Sequence, residues 1–224
     1  MIQLASVSKT FQSGRGKVRA LIDISFPIEA GTFTALIGKS GSGKSTLLNC
    51  IGGLEPPDTG NIACFGTPIY SLGPRELSLF QRRYMGFVFQ RGNLLSYLTV
   101  AENIGFPLTL NRVLGRSQAK RIDELLDRIG LASAATALPH ELSSGETQRV
   151  AIARAIAHSP SILLADEPTA NLDTVTGQQA VELMRDLGKD HGCTIIMATH
   201  DIEITGSADA VICLKDGRIH EEER

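Results

Sequence analysis

A glycine-rich stretch at residues 38–45 has the residue types and spacing needed to bind phosphate. It reads Gly-Lys-Ser-Gly-Ser-Gly-Lys-Ser and matches the pattern G-x-x-x-x-G-K-[ST] at every position. Glycines let backbone amides approach phosphate oxygens, and the helix expected after Gly43 points its N-terminal amides at them. Lys44 can bridge the β- and γ-phosphates, and the Ser45 hydroxyl can bind Mg²⁺. The residues expected to line this phosphate loop are Gly38, Lys39, Ser40, Gly41, Ser42, Gly43, Lys44, Ser45 and Thr46.

The surroundings of the loop favour this interpretation over a glycine- and serine-rich loop that binds nothing. An apolar run, Phe33–Ile37, precedes it and predicts a buried strand. Leu47, Leu48 and Ile51 follow at helical spacing, with Gly52 as the first of two glycines that stop the helix. The pattern predicts a nucleotide-binding protein, but by itself it does not separate kinases, GTPases and transport ATPases.

Two adjacent carboxylates, Asp166 and Glu167, follow a second apolar run at residues 162–165. In a parallel sheet the carboxyl end of a central strand lies beside the phosphate loop. Asp166 is therefore suited to hold Mg²⁺, directly or through water. Glu167 is expected on the other side of the strand, where it can orient the attacking water or accept its proton. Without the phosphate loop, a solvated turn would be a serious alternative.

Two further polar residues end apolar runs. Gln90 follows residues 86–89, and its amide could contact Mg²⁺ or the attacking water. His200 follows residues 194–198 and could donate to the γ-phosphate. Taken alone, each is more commonly a structural or surface residue.

Apolar runs that alternate with helical patterns predict an α/β fold with a parallel sheet. Further strands are expected at 210–214 and, as short strands broken by a polar turn at 13–16, between Ile2 and Pro27. Residues 91–158 show a helical pattern, including an apolar stripe in 117–131 and a second helix at 150–156. We therefore expect one domain over 1–224, with an α/β core at about 1–90 and 159–224 and an inserted helical subdomain at about 91–158.

Composition excludes several classes of protein. The 224 residues are 42% hydrophobic and 21% charged, with a net charge of −2, so there is no basic excess of the kind that binds nucleic acid. The four cysteines form no C-x-x-C pair, which argues against a zinc site. The sequence shows neither a signal peptide nor a run of about 20 apolar residues. If the protein works at a membrane, we expect another chain to anchor it.

The segment Leu142–Arg149, which reads LSSGETQR, completes a set of motifs that resembles the ABC ATPase family. It is similar to the family's signature, usually LSGGQ followed by a QR pair. A short Ser/Gly loop that opens a helix is itself an anion cradle. In the family this loop closes over the ATP of a second copy, so that two chains sandwich two nucleotides.

The resemblance covers essentially the whole chain and implies roles for individual residues. Gln90 matches the glutamine loop, Asp166 the metal aspartate, Glu167 the catalytic glutamate and His200 the switch histidine. The additional nucleotide contacts it implies are Phe11, stacked on adenine, together with Ser143, Gly145 and Asp173, the last of which ends the run PTANLD. Ser144 departs from the family pattern because it stands at a signature glycine, and Glu146 stands at the glutamine position.

The family resemblance implies an ATPase that uses ATP and Mg²⁺, dimerises around two ATP molecules and powers an integral membrane permease subunit from the inner, cytoplasmic face of the membrane. The implied fold is α/β: a P-loop NTPase core with a mainly parallel sheet, an N-terminal antiparallel β subdomain and an inserted helical subdomain. Residues 86–104 resemble the subgroup of lipoprotein-releasing, macrolide-exporting and cell-division ATPases. A regulatory partner of a membrane protein, of the cell-division type and without cargo, remains an alternative to transport.

Overall fold

The structure is a computed structural model that describes residues 1–14, 16–201 and 203–220. In chain order, its strands are β1 Ile2–Ser13, β2 Gly16–Ile28, β3 Phe33–Ile37, β4 Thr59–Cys64, β5 Thr67–Pro68, β6 Met85–Val88, β7 Ile162–Asp166, β8 Thr194–Thr199, β9 Ala210–Lys215 and β10 Arg218–His220. The helices are α1 Lys44–Ile51, α2 Pro74–Tyr84, α3 Val100–Leu110, α4 Arg116–Arg128, α5 Ser144–Ile156 and α6 Thr174–Lys189. The described residues form two compact units, one within 1–81 and 194–220 and the other within 82–193.

An antiparallel sheet in the first unit has the strand order β2-β1-β4-β5. The predicted short strands between Ile2 and Pro27 are instead two long strands, paired from Ile2↔Ile28 to Ser13↔Gly16. Shifts of register interrupt this pairing, and the side-chain hydroxyl of Ser25 accepts the Ser6 amide at one of them. These irregularities break the alternation of apolar residues, which explains why the sequence suggested shorter elements. Arg15 of the predicted turn lies outside the described residues.

The first unit also contains strands in the order β10-β9-β3-β8, with β3 parallel to both β8 and β9. All five residues of β3 and all six of β8 are buried, as expected for strands covered on both faces. The predicted helix after the phosphate loop is α1, which buries Leu47, Leu48 and Ile51 and ends at Gly52. These local predictions are confirmed.

The second unit pairs β6 and β7 in parallel and contains four helices, α3 to α6. The predicted apolar stripe is confirmed in α4, where Leu125 and Leu126 are buried. The predicted helix at 150–156 is the C-terminal half of α5 and supplies buried residues such as Val150 and Ile152. No helix among the described residues has the length and apolar character required to cross a membrane.

Candidate functional site

The phosphate loop connects β3 to α1, so a buried strand and a helix position its two ends. Gly41 and Gly43 have φ of 81° and 108°, as expected for glycines in such a loop. A Cβ at Gly43 would collide with the backbone carbonyl of Ala20 on β2. Position 43 therefore requires glycine, both for its φ and for its close packing against β2.

Lys44 is the first residue of α1 and is only 5% exposed. Its ammonium donates to the carbonyls of Gly38, at 2.7 Å, and Lys39, at 3.4 Å. The charge consequently lies over the loop that the sequence assigns to phosphate. Ser45 follows it, exposed in the first turn of the helix.

Phe11, the predicted adenine contact, lies on β1 with 37% of its surface exposed. The Lys9 ammonium lies 5.3 Å from the centroid of its ring, a cation–π arrangement. Lys9 is held by the Glu55 carboxylate at 2.5 Å and by the Pro56 carbonyl at 2.7 Å, both on the segment after α1. The hydrogen bond to Glu55 raises the pKa of Lys9, which keeps the cation charged. Sequence reasoning missed Lys9.

The predicted metal ligand Asp166 and the predicted catalytic Glu167 lie at the end of a buried strand of the second unit. Asp166 is the last residue of β7, and Glu167 follows it with a φ of 47°, in the left-handed region that non-glycine residues seldom occupy. Both residues are partly buried. The strand therefore presents Asp166 and Glu167 at its carboxyl end, the placement that the sequence predicted.

Gln90 is exposed in the turn that follows β6. Its backbone carbonyl accepts a hydrogen bond of 3.1 Å from the Asn171 side chain. Arg154 on α5 donates to the carbonyls of Gly92 and Asn93, each at 2.7 Å, and burial lowers the pKa of its guanidinium. Asn171 and Arg154 therefore hold the glutamine loop by its backbone carbonyls, although no motif in the sequence pointed to Arg154.

The signature segment forms the N-terminus of α5. Ser143 caps the helix: its hydroxyl accepts from the Glu146 amide, and its backbone N–H donates to the Glu146 carboxylate at 2.8 Å, to which the hydroxyl also donates at 2.7 Å. This reciprocal pair is a capping box, and its hydrogen bonds lower the pKa of Glu146. Ser144 is the first helical residue and is not among the positive-φ residues, so serine introduces no backbone strain there. A Cβ at the buried Gly145 would lie 2.9 Å from the Thr176 methyl.

Asp173 and His200 lie at element ends. Asp173 caps α6 by accepting from the Thr176 amide at 3.0 Å and hydroxyl at 2.6 Å, and these hydrogen bonds lower the pKa of its carboxyl. His200 is exposed directly after β8. The structure thus gives Asp173 a role inside its own chain that the sequence did not suggest.

Each of the two units contains some of the predicted site residues. The first contains the phosphate loop, Phe11 and His200. The second has a pocket that brings the glutamine loop together with the signature helix and the segment after Glu167. Its lining includes Gln90, Ser144, Thr147, Gln148, Asn171 and Leu172. The side-chain amide nitrogen of the buried Gln148 has no hydrogen-bond partner.

The donor atoms of the predicted metal site are hard oxygens: the Ser45 hydroxyl, the Gln90 amide and the Asp166 carboxylate. Mg²⁺ prefers such ligands and takes few of them from protein, completing its shell with water and phosphate. Among the described residues no three His, Cys, Asp or Glu side chains form a metal-ligand cluster. The donor set therefore fits a phosphate-bound Mg²⁺ and does not resemble an all-protein metal cage.

Comparison with known proteins assigns the family. The sequence model of the ABC transporter family matches residues 21–170, a range that includes the phosphate loop, the signature and both carboxylates. The chain belongs to the ABC transporter family. Its ATP-binding cassette is 46% identical, over 98% of this chain and 88% of the relative, to an ABC transporter ATP-binding protein of Mycobacterium tuberculosis.

Other relatives are longer. The macrolide export ATP-binding/permease protein MacB of Rhodopirellula baltica is 44% identical over 100% of this chain, which spans only 33% of that protein. A MacB protein of Neisseria meningitidis is 43% identical over 98% of the chain, which spans 34% of its length. The cassette thus corresponds to about a third of these proteins.

Solved structures confirm the predicted fold of the cassette. The dimeric ABC transporter cassette MJ0796 is 39% identical and superposes with a TM-score of 0.92, covering 100% of this chain and 98% of that one. A second structure of MJ0796, bound to ADP and inorganic phosphate after hydrolysis, superposes with a TM-score of 0.91. The fold is that of an ABC ATPase: α/β, with an antiparallel N-terminal sheet, a mixed sheet containing parallel strands, and helices.

Proposed function

We propose that this cassette binds and hydrolyses ATP and that it powers a membrane transporter complex. The observation that carries the proposal is the phosphate loop, in which positive-φ glycines and the start of α1 form a backbone cradle beneath the buried Lys44. Nine residues, 38–46, are assigned to the nucleotide phosphates, and Phe11 to the adenine ring. The names of the relatives favour transport over a purely regulatory role.

Hydrolysis is assigned to residues that follow β6, β7 and β8 in the chain. Glu167 orients the attacking water and accepts its proton, Gln90 contacts the water or the metal, and His200 donates to the γ-phosphate. Ser45, Gln90 and Asp166 would hold Mg²⁺. When bound, this ion neutralises charge that develops on the β- and γ-phosphates.

We propose that two copies close around two ATP molecules. The N-terminus of α5, where Ser143 is exposed and Gly145 is the second helical residue, is suited to bind an anion through its amides. Ser143, Gly145 and Asp173 would thus contact the nucleotide held by the other copy. Support comes from MJ0796, whose structures are described as dimeric.

The membrane partner is proposed to be an integral permease subunit, which would hold the cassette at the inner, cytoplasmic face of the membrane. A cavity of about 280 Å³ in the second unit is lined mainly by apolar side chains, among them Phe87, Phe89, Leu95 and Phe106. Tyr97, two residues after Leu95 in the chain, is 75% exposed. With a net charge of −2, nucleic acid is not the expected partner.

The loop before α3, which contains Leu95 and Tyr97, is held in place by Asn103 on that helix. The fully buried Asn103 accepts from the Leu95 amide at 2.8 Å, and its amide donates to the carbonyls of Leu95, Leu98 and Thr99. A rigid loop lowers the entropy cost of binding. The segment Leu94–Tyr97 is therefore suited to dock a permease.

Replacing Glu167 by glutamine tests hydrolysis apart from binding. An amide cannot accept the proton of the attacking water, so Glu167→Gln should keep ATP affinity and lose about 10²- to 10⁴-fold in turnover. Bound ATP would then persist, and gel filtration with ATP and Mg²⁺ should show a dimer. The matched control is Glu182→Gln, which replaces an exposed carboxylate of α6 and should hydrolyse ATP at the normal rate. A monomeric Glu167→Gln protein with normal turnover would remove Glu167 from catalysis.

A further inference from the structure

The turn between β9 and β10 touches the backbone of the phosphate loop. The Gly217 N–H donates to the Ser42 carbonyl at 3.1 Å. The Gly217 carbonyl in turn accepts from the Ile22 N–H on β2 at 2.7 Å. One buried glycine therefore connects the N-terminal sheet to the loop through two backbone hydrogen bonds.

The first hydrogen bond bears directly on phosphate binding. Ser42 C=O and Gly43 N–H belong to one planar peptide group, in which the carbonyl and the N–H point in opposite directions when the bond is trans. None of the described peptide bonds is cis. A donor on the Ser42 carbonyl thus fixes where the Gly43 N–H points, and it also polarises the peptide so that this N–H becomes a stronger donor. On the helix side, the Gly43 carbonyl is already fixed by the Leu47 amide at 2.9 Å.

Position 217 leaves room for glycine only. Its φ is +75°, and a Cβ there would lie 2.9 Å from the Ala20 carbonyl oxygen and 3.1 Å from its carbon. Gly43 also packs against the Ala20 carbonyl. Gly43, Gly217 and Ala20 therefore meet at one crowded point, and displacement of Gly217 would move the loop.

We propose that Gly217 is a positioning residue of the phosphate site: its N–H orients the Ser42–Gly43 peptide so that the Gly43 N–H faces the phosphates of a bound nucleotide. This rests on the proposed binding of ATP at the phosphate loop. Gly217 itself does not touch the nucleotide.

The first test compares two glycine substitutions that carry the same backbone strain. Gly217→Ala forces alanine to a φ of +75° and against Ala20, whereas Gly66→Ala, in the turn between β4 and β5, forces it to +79° in open space. ATP affinity, measured by calorimetry well below the melting temperature of either variant, should fall about tenfold or more for Gly217→Ala. The ATP affinity of Gly66→Ala should stay within about twofold of that of the unsubstituted chain.

A second variant removes the donor without adding bulk. A synthetic peptide of residues 213–224, ligated at Cys213, can carry glycolic acid at position 217, so that an ester oxygen replaces the Gly217 N–H. An all-amide chain made in the same way is its control. The ester chain should show the same loss of ATP affinity. The ¹⁵N chemical shift of Gly43 without nucleotide should move upfield, because its peptide carbonyl has lost a donor.

The two measurements separate this proposal from the proposed function. If the ester chain binds ATP as well as its control, or if the Gly43 shift does not move, Gly217 does not position the loop. If the all-amide control fails to bind ATP, the proposed function is wrong. In that case the nitrogen shift, which needs no nucleotide, still decides whether Gly217 orients the Ser42–Gly43 peptide.

Discussion

Lys44 is the residue with the most direct expected contact to ATP. Its buried ammonium lies over the loop carbonyls of Gly38 and Lys39, and bound phosphates would give it charge-assisted partners in their place. Lys44→Ala should weaken ATP binding by about 100-fold or more, on the order of 3 kcal/mol, as measured by calorimetry. Lys39→Ala removes the same charge from an exposed side chain of the same loop and should matter far less. Equal affinities in the two variants would contradict the role given to Lys44.

Ser144 is the departure from the family signature, and its backbone explains why serine is tolerated. The residue is helical and exposed, so it needs neither positive φ nor a missing Cβ. Ser144→Gly should change ATP turnover by less than about tenfold, or ~1.4 kcal/mol in barrier. Gly145→Asp should nearly abolish turnover, because it adds bulk and negative charge where the other copy's γ-phosphate is expected. If Ser144→Gly instead raised ATP turnover a hundredfold, the signature of the unsubstituted chain would be impaired, and the chain would be a slow switch.

At the scale of elements, Gly145 has a second role in the packing of α5 against the start of α6. An alanine Cβ would lie 2.9 Å from the Thr176 methyl, so Gly145→Ala should cost about 1–3 kcal/mol of stability. Thr176→Ser deletes that methyl and keeps the hydroxyl that donates to Asp173. The double variant should therefore recover the melting temperature of Thr176→Ser alone, measured by calorimetry. If the melting temperature of the double variant did not recover, a contact other than the Thr176 methyl would exclude a side chain at position 145.

The variants Gly145→Ala and Thr176→Ser also separate an effect on folding from an effect on ATP turnover. If Gly145 serves only the contact between α5 and α6, the double variant should also regain turnover. We expect that it does not fully do so, because the added methyl still lies at the face proposed to meet the other copy's nucleotide. Turnover and melting temperature measured on the same samples distinguish these outcomes.

At the scale of the whole molecule, the proposed permease contact depends on the loop that Asn103 holds. Leu95 lines the apolar cavity, and Leu95→Asp would place a charge where apolar contact is expected. Co-purification of the cassette with its membrane partner should fall at least about tenfold. Leu114→Asp, at a leucine that is 61% exposed between α3 and α4, is the matched control. A stable Leu95→Asp cassette that still assembles would show that the contact lies elsewhere.

Much of the fold was predictable because its signals are local. The apolar runs of β3, β7 and β8, the helix after the phosphate loop and the stripe in α4 each follow from side-chain spacing within one element. Other elements were missed. α2 was not predicted, although its half-buried Leu77, Phe80 and Tyr84 recur at helical spacing, and the register shifts of β1 hide the length of its strand.

The sequence alone determined the family and the candidate chemistry, because a phosphate cradle and a strand that ends in two carboxylates are short motifs whose residue types are dictated by what they bind. Only the tertiary structure decided what holds those motifs in place. Arg154, Asn171 and Gly217 act on backbone carbonyls of distant segments. Every residue carries a backbone carbonyl, so the partners of such donors leave no mark in the sequence. They become visible only when the folded chain brings donor and acceptor within hydrogen-bonding distance.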